Sequence, residues 1–220
     1  MEEKPLSEKE SMELIAKMIS TAKNNFVESG LGPIIWGSII TFCSIAQYIQ
    51  ITTSFRFPFD IWILPILGLI PQIWLSIRER KAKATKSWVD QSIDYVWIAF
   101  AFGVFFINFT LASLSNELYP ILKEYRSMGG KAPEFELWSY GAALLLFMYG
   151  LPTLVTAFVR KFKLMMIGGI FCWVAAIVAI FTPLATDFLL MAAAAMLAWL
   201  IPGIKLRKMY LEQKAGIKNV

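Results

Sequence analysis

The sequence predicts an all-α polytopic membrane protein, a six-transmembrane-helix bundle with an N-terminal amphipathic cytoplasmic helix. Of the 220 residues, 57% are hydrophobic and 17% are charged, and the mean hydropathy is +0.59. A soluble domain carries about 45–50% apolar and about 25% charged residues. The apolar residues also fall in six runs, and the positive charges cluster beside alternate runs. These observations together favour one continuous membrane domain.

Residues 1–30 precede the first apolar run and are predicted to form an amphipathic helix on the cytoplasmic face. Ser7 and Glu10 have the spacing of a capping box, and Gly30 is a good helix terminator. Apolar side chains recur on one helical face, at Met12, Ile15, Met18, Ile19, Ala22 and Phe26. This pattern predicts either a surface helix beneath the bundle or a docking segment.

The charge of this segment favours docking on protein over binding to lipid. Residues 1–29 contain six Glu and four Lys, whereas helices drawn to anionic lipid are rich in Lys and Arg. We expect the segment to dock on a partner or on the chain's own basic loop, which carries Arg78, Arg80, Lys81, Lys83 and Lys86.

The transmembrane domain is predicted over residues 31–204, followed by a cytoplasmic tail at 205–220. Its six predicted spans are residues 31–55, 59–77, 94–114, 137–159, 164–181 and 183–204. Each run is near the length of about 20 residues that crosses the hydrocarbon as a helix. Continuous apolar runs exclude the alternating strands of a barrel, so helices satisfy the backbone.

Lys and Arg predict the orientation of these spans. With six spans and a cytoplasmic N-terminus, 17 of these residues lie on the cytoplasmic side and four on the other, namely Arg56, Lys123, Arg126 and Lys131. Positive residues are retained on the cytoplasmic side. Both termini are therefore expected to be cytoplasmic. Because the basic residues flank apolar runs, they indicate topology and not a nucleic-acid partner.

The largest predicted outer segment follows the third span. It is expected to hold a separate short helix at the outer interface, with Ile121, Leu122, Tyr125 and Met128 on one side. Gly129 and Gly130 are expected to end it.

Reactive groups are scarce, which argues against an enzyme. There is no histidine, the commonest general base and metal ligand. Asp60, Asp94 and Asp187 fall at predicted helix starts, where a carboxylate caps exposed amides. No catalytic residue, metal site or cofactor is predicted.

Neutral polar residues and prolines within the spans supply the candidate functional positions. Gln72, Asn108, Thr153 and Thr156 either line a polar path or hydrogen-bond between helices. The prolines Pro71, Pro152 and Pro202 are predicted helix kinks in the cytoplasmic halves of the second, fourth and sixth spans. Each proline leaves the carbonyl four residues earlier without its helical donor. The kinks either bend helices into contact or shape a cytoplasmic vestibule.

Small and aromatic residues predict how the spans pack. Gly168, Cys172, Ala176 and Ala179 form a narrow face on the fifth span, and residues 192–195 and Ala198 are alanines on the sixth. Small faces allow close approach, so these spans are expected to be the tightest pair. Trp97 and Trp199 are among six tryptophans near predicted span ends, where interfacial anchoring is expected.

Two segments, MISTAKNNFVESGLGPIIWG (18–37) and AWLIPGIKLRK (198–208), resemble a family of small polytopic bacterial membrane proteins without an established activity. The resemblance implies placement in the bacterial inner (cytoplasmic) membrane. It implies no activity, cofactor or functional residue.

The expected function is that of a non-enzymatic accessory, scaffold or sensory subunit that acts through protein contacts. Its expected partners are the lipid bilayer and either another protein or a second copy of the chain. The alternative is a small oligomeric transporter or channel that uses Gln72, Asn108, Thr153 and the proline kinks. A polar, water-accessible cleft would favour transport, and a tightly packed bundle would favour protein contacts.

Overall fold

The structure, a computed structural model, describes Met12 and residues 29–82, 88–130 and 137–218. These residues form helices and short connections, and no strand occurs among them, which confirms the all-α class. In chain order the helices are α1 (Leu31–Thr52), α2 (Ile63–Ala82), α3 (Trp88–Ser127), α4 (Leu137–Val159), α5 (Lys163–Ala179), α6 (Leu184–Ala195) and α7 (Ile201–Lys218). A π-helical turn at Met196–Leu200 joins α6 to α7.

Four helical segments are long and apolar enough to cross a membrane. They are α1, α3, α4 and the continuous segment Leu184–Ala215, which contains α6, the π turn and most of α7. These helices indicate a multi-pass membrane protein. α5 has 17 residues, fewer than the about 20 of a full crossing, and α2 ends in the charged sequence RERKA. The arrangement with six spans therefore stays a prediction.

Glycines let α1 approach α7 closely. Gly30 precedes α1 with a φ of 72°, a conformation that costs glycine little and other residues more. A Cβ atom at Gly30 would lie 2.6 Å from the carbonyl oxygen of Gly203, and one at Gly203 would lie 2.9 Å from the Ile34 nitrogen. Only glycine at both positions permits this crossing.

α3 is a single helix of 40 residues, which corrects the prediction of a separate short helix after the third span. No glycine interrupts residues 104–128, and Pro120 lies inside the helix. A proline removes only its own amide and strains one turn, so the helix continues through it. The predicted end is confirmed: Gly129 has a φ of 83°, and the Gly130 amide donates to the Tyr125 carbonyl oxygen at 3.0 Å.

The early start of α3 also moves Asp94 away from a helix end. Trp88 begins the helix, so Asp94 lies in its second turn and Asp90 in its first. The predicted position of Asp94 at a helix start is therefore wrong. The reason is that VDQS, residues 89–92, contains no helix breaker, so the helix begins ahead of Asp94.

The core lies between α1, α4, α5, α6 and the π turn, while α2 packs chiefly on α1 and α3 chiefly on α4. Many core residues are small, including Ala142, Cys172, Ala175, Ala194 and Ala198. The most extensive helix pair is α4 with α5, and a Cβ atom at Gly150 of α4 would lie 3.2 Å from the Gly169 carbonyl oxygen of α5. The close approach predicted for the fifth and sixth spans occurs at Gly168, where a Cβ atom would lie 2.4 Å from the Leu197 carbonyl oxygen.

Candidate functional site

The predicted polar residue Thr153 lies at the centre of the core. Its side chain is fully buried. The Trp199 Nε1–H donates to the Thr153 hydroxyl oxygen at 2.9 Å, and the Thr153 hydroxyl donates to the Tyr149 carbonyl oxygen at 2.6 Å. Thr153 therefore both accepts and donates without water, so it joins α4 to the π turn.

Thr156, one turn later in α4, also accepts a hydrogen bond from a tryptophan of another element. It is buried, and its hydroxyl oxygen accepts a hydrogen bond of 3.1 Å from Trp97 Nε1 on α3. Interhelical bonds of this kind contribute about 0.6 kcal/mol on average and up to about 1.7 kcal/mol in membrane proteins. Of the two predicted uses of these threonines, the structure shows helix contact.

Four aromatic rings surround these bonds, and we call Trp97, Phe100, Tyr149 and Trp199 the aromatic cluster. The Tyr149 and Trp199 ring centroids are 4.7 Å apart, and Phe100 lies edge-on to both at 6.0 and 6.1 Å. These separations lie in the favourable range for aromatic pairs. The predicted interfacial role of Trp199 is wrong, since its indole is buried and hydrogen-bonded inside the bundle. The interfacial role of Trp97, which is half-buried, stays a prediction.

The π turn holds Trp199 in the cluster because two glycines admit its backbone. A Cβ atom at Gly37 of α1 would lie 2.5 Å from the Leu200 nitrogen. On the other side, a Cβ atom at Gly168 of α5 would lie 2.4 Å from the Leu197 carbonyl oxygen. The turn is thus clamped between α1 and α5, and its indole points toward α3 and α4.

Pro202 explains why the turn takes the π form. The Ile201 amide donates to the Met196 carbonyl oxygen, five residues earlier. Pro202 follows at once, has no amide to donate, and in an α-helix its ring would press on the carbonyl four residues earlier. Inserting one residue into the turn relieves that contact, which is a common use of π-bulges.

Pro71 and Pro152 line two apolar grooves. The Pro71 groove, about 400 Å³, lies between α1 and α2 and is bordered by Phe42 and Leu67 among others. The Pro152 groove, about 200 Å³, lies between α3 and α4 and is bordered by Phe100 and Met148 among others. Leu67 and Met148 are the residues four positions before each proline, whose carbonyls lack a helical donor.

Gln72 and Asn108 lie apart from the aromatic cluster. Gln72 is half-buried beside Gly32 of α1, with its Nε2 3.5 Å from the Ser76 hydroxyl oxygen. Asn108 is exposed on α3, and its Nδ2 donates to the Val104 carbonyl oxygen of the same helix at 2.8 Å. The structure brings Thr153 and Thr156 together but leaves these two residues separate. Neither groove is lined by Gln72, Asn108, Thr153 or Thr156.

Three Asp carboxylates among the described residues hydrogen-bond or form an ion pair near the ends of helices. Asp60 Oδ1 accepts from the Trp62 amide at 2.9 Å, as predicted for a carboxylate ahead of a helix. Asp187, fully buried in the first turn of α6, accepts from the Thr182 hydroxyl at 2.6 Å. Asp90 and Arg160 form an ion pair of 2.6 Å between the start of α3 and the residue after α4.

The described residues contain no cluster of potential metal ligands. Within them, no group of three or more His, Cys, Asp or Glu side chains could hold a metal ion. Cys43 and Cys172 are both buried and unpaired by a disulfide. They act as small packing groups, as expected of thiols inside apolar helices.

Sequence reasoning missed Tyr149, Trp97 and Trp199 as partners of the two threonines. The available signal was LAWLIP at residues 197–202, where a tryptophan stands three residues before a proline in an apolar helix. It was not decisive because tryptophan near a span end usually indicates an interfacial anchor.

Comparison of the chain with known protein families, curated proteins and solved structures found no match.

Proposed function

We propose that the chain is a non-enzymatic accessory, scaffold or sensory subunit of the bacterial inner membrane that acts through protein contacts. The observation that carries the proposal is the saturated hydrogen bonding of Thr153. This predicted path residue is fully buried and bonded to Trp199 and the Tyr149 backbone. A conducting path needs polar groups that can exchange partners with a solute, whereas saturated groups in a packed core hold helices together.

The proposal includes six spans with both termini on the cytoplasmic side. The split of Lys and Arg, 17 to four, supports this orientation through the positive-inside rule. α2 and α5 would supply the second and fifth crossings. Both are predominantly apolar helices, and the first ends beside the basic residues of the loop.

The acidic N-terminal segment is the proposed docking element. Most of residues 1–28 lies outside the described residues, so neither its helix nor its docking on the basic loop is tested. Met12, on the predicted apolar face, is 74% exposed. The six Glu against four Lys in residues 1–29 of this segment support docking on protein over binding to anionic lipid.

Affinity purification of the tagged chain from native membranes in a mild detergent tests the proposal. We expect a second protein to co-purify at a fixed stoichiometry. Charge reversal by Glu8→Lys, Glu10→Lys and Glu13→Lys is expected to remove it. The control is Glu2→Lys with Glu3→Lys, which reverses charge ahead of the predicted capping box at Ser7 and Glu10. Recovery of this chain alone across detergents would contradict the proposal.

Transport is the second candidate, because the Pro71 and Pro152 grooves lie at two of the three prolines. Cysteine accessibility separates the candidates. We expect Thr153→Cys to resist a water-soluble maleimide applied to inverted vesicles, since residue 153 is sealed from solvent. The exposed Lys161→Cys is the reactive control. Rapid labelling at residue 153 would favour a water-filled path over the accessory role.

A further inference from the structure

The Pro71 groove opens on the lipid-facing surface between α1 and α2. It has a volume of about 400 Å³, and Ser38 supplies the only polar side chain among the described residues that line it. Phe42 and Leu67 border the groove and are 54% and 52% exposed. Gly68 is buried and contributes no side chain, so the space between them stays open. The groove is therefore apolar, and its volume is that of a ligand pocket, about 300–1,000 Å³.

The side of α2 that lines the groove continues into a charged end. Leu64, Leu67 and Pro71 line the groove at steps of three and four residues, and Trp74 and Arg78 follow at the same steps. A helix brings residues at these steps to one face, so both stand on the groove's side of α2. Arg78 is about 10 Å beyond Pro71 along the helix axis, at about 1.5 Å per residue.

Arg78 lies where α2 leaves the hydrocarbon. Residues 63–77 contain no Asp, Glu, Lys or Arg, and Arg78 is the first charged residue of the helix. With α2 as the proposed second crossing, the guanidinium is placed at headgroup level, because charge within the hydrocarbon is costly. Its Cζ lies 5.3 Å from the Trp74 ring centroid, within the range of a cation–π contact. Tryptophan is also favoured at that depth.

The charge of Arg78 has no carboxylate partner among the described residues. Its contact there is the Trp74 ring. The neighbouring Glu79 accepts a hydrogen bond from the Ser29 hydroxyl ahead of α1, so this carboxylate is engaged elsewhere. The Arg78 guanidinium therefore keeps its five N–H donors for an anion, and its planar fork matches the oxygens of a phosphate.

From this geometry we propose that α1 and α2 bind one anionic phospholipid, with an acyl chain in the Pro71 groove and the phosphate on Arg78. An apolar groove that leads to a single cation at headgroup level has the same order of polarity as a phospholipid. Basic sites between membrane helices recognise anionic headgroups through this combination. A zwitterionic headgroup carries an ammonium that Arg78 repels, so the site selects the anionic class. The inference goes beyond the proposed function and rests only on its placement of α2 as a crossing.

Fluorescence quenching in vesicles tests the site. The full-length chain is reconstituted into phosphatidylcholine vesicles that contain increasing amounts of mid-chain brominated phosphatidylglycerol, or of brominated phosphatidylcholine with the same acyl chains. The signal missing from Trp74→Phe gives the share of Trp74. We expect half of that share to be quenched at about fivefold less phosphatidylglycerol than phosphatidylcholine, the preference that one basic residue near anionic lipid provides.

Two variants separate the headgroup site from the groove. Arg78→Gln should abolish the preference, and Ser38→Phe, which fills the groove from α1, should weaken quenching by phosphatidylglycerol. The matched control is Arg207→Gln on α7, because the Cζ of Arg207 also lies over an aromatic ring, 5.4 Å from the Tyr210 centroid. This control should keep the full preference. Inorganic phosphate should not reduce the preference, since the acyl chain helps to hold the lipid.

Five results would overturn the proposal. Equal quenching by the two lipids would show that Trp74 contacts only bulk lipid, and a preference that Arg78→Gln retains would remove Arg78 from the site. Displacement by inorganic phosphate would assign Arg78 to a soluble anion. A preference that appears only with Glu8→Lys, Glu10→Lys and Glu13→Lys would place the N-terminal segment on Arg78. An unquenched Trp74 would place α2 outside the bilayer and contradict the six spans, whereas the other four results leave the spans and the partner protein untouched.

Discussion

Thr153 and Thr156 show how two neighbouring side chains can join three structural elements. The Thr153 hydroxyl accepts a hydrogen bond from Trp199 of the π turn and donates one to a carbonyl of its own helix. The Thr156 hydroxyl accepts a hydrogen bond from the Trp97 indole of α3. In a membrane, helix association depends on packing and on such bonds, because lipid is as apolar as the helices. The two threonines therefore contribute to specificity of pairing more than to bulk hydrophobic stabilisation.

Removing the indole donor is expected to destabilise the bundle modestly. Trp199→Phe keeps a ring in the aromatic cluster but loses the bond to Thr153, at a cost of about 1–2 kcal/mol in unfolding free energy. A double-mutant cycle with Thr153→Val, measured by detergent denaturation, should give a positive coupling energy. Trp88→Phe is the control because Trp88 is 80% exposed. Zero coupling would show that the bond has no energetic role.

Glycine at residue 168 is expected to be far less replaceable than glycine at residue 32. A Cβ at Gly168 meets the backbone of the π turn at 2.4 Å, whereas one at Gly32 meets only the Gln72 side chain at 3.4 Å. Gly168→Ala should cost about 1–3 kcal/mol through overpacking. Gly32→Ala should be neutral or mildly stabilising, since alanine favours helix. The same denaturation measurement compares them, and equal stability would refute the clamp.

At the scale of elements, the proline-containing helices are not equivalent. Pro71 is exposed on α2, whereas Pro152 and Pro202 are buried. Only Pro202 directly follows a π turn, and that turn sets the rotation of α7 relative to α6. Two of the prolines therefore border grooves, and the third orients α7.

Pro202→Ala is expected to change that rotation. Alanine restores the amide and allows the turn to revert to α, which would rotate α7 by about 100°. Spin labels at Lys208→Cys and Lys161→Cys, both exposed sites, should report an altered distance. Pro71→Ala is the matched control, since no π turn precedes it, and should leave the distance unchanged. An unchanged distance in Pro202→Ala would mean that Gly37 and Gly168 alone hold the π turn.

At the scale of the whole molecule, α2 and α5 decide the number of crossings. The four long apolar helices indicate a membrane protein, while α5, with 17 residues, is short for a full crossing of about 30 Å. Local thinning of the bilayer accommodates short helices at modest cost. The orientation of both termini depends on whether α2 and α5 cross.

Single cysteines with an impermeant maleimide test the six-span topology in intact cells. Ser54→Cys, Asn116→Cys and Thr182→Cys should react from outside. Lys161→Cys and Lys208→Cys should react only after the membrane is opened. If α5 fails to cross, residues 161 and 182 will lie on the same side and label together, which would reverse the predicted location of the C-terminus.

Local sequence determined the helical class, the apolar runs and the end of α3 at Gly129 and Gly130, because helix length, hydropathy and a positive φ are properties of short segments. Tertiary structure decided which faces meet. Thr153 and Thr156 could equally have lined a path, and only packing placed Trp199 and Trp97 against them. α4 and α5 became the most extensive pair, with Gly150 and Gly169 at their contact. Contacts of this kind depend on helix rotation, which the π turn before Pro202 sets and which hydropathy does not encode.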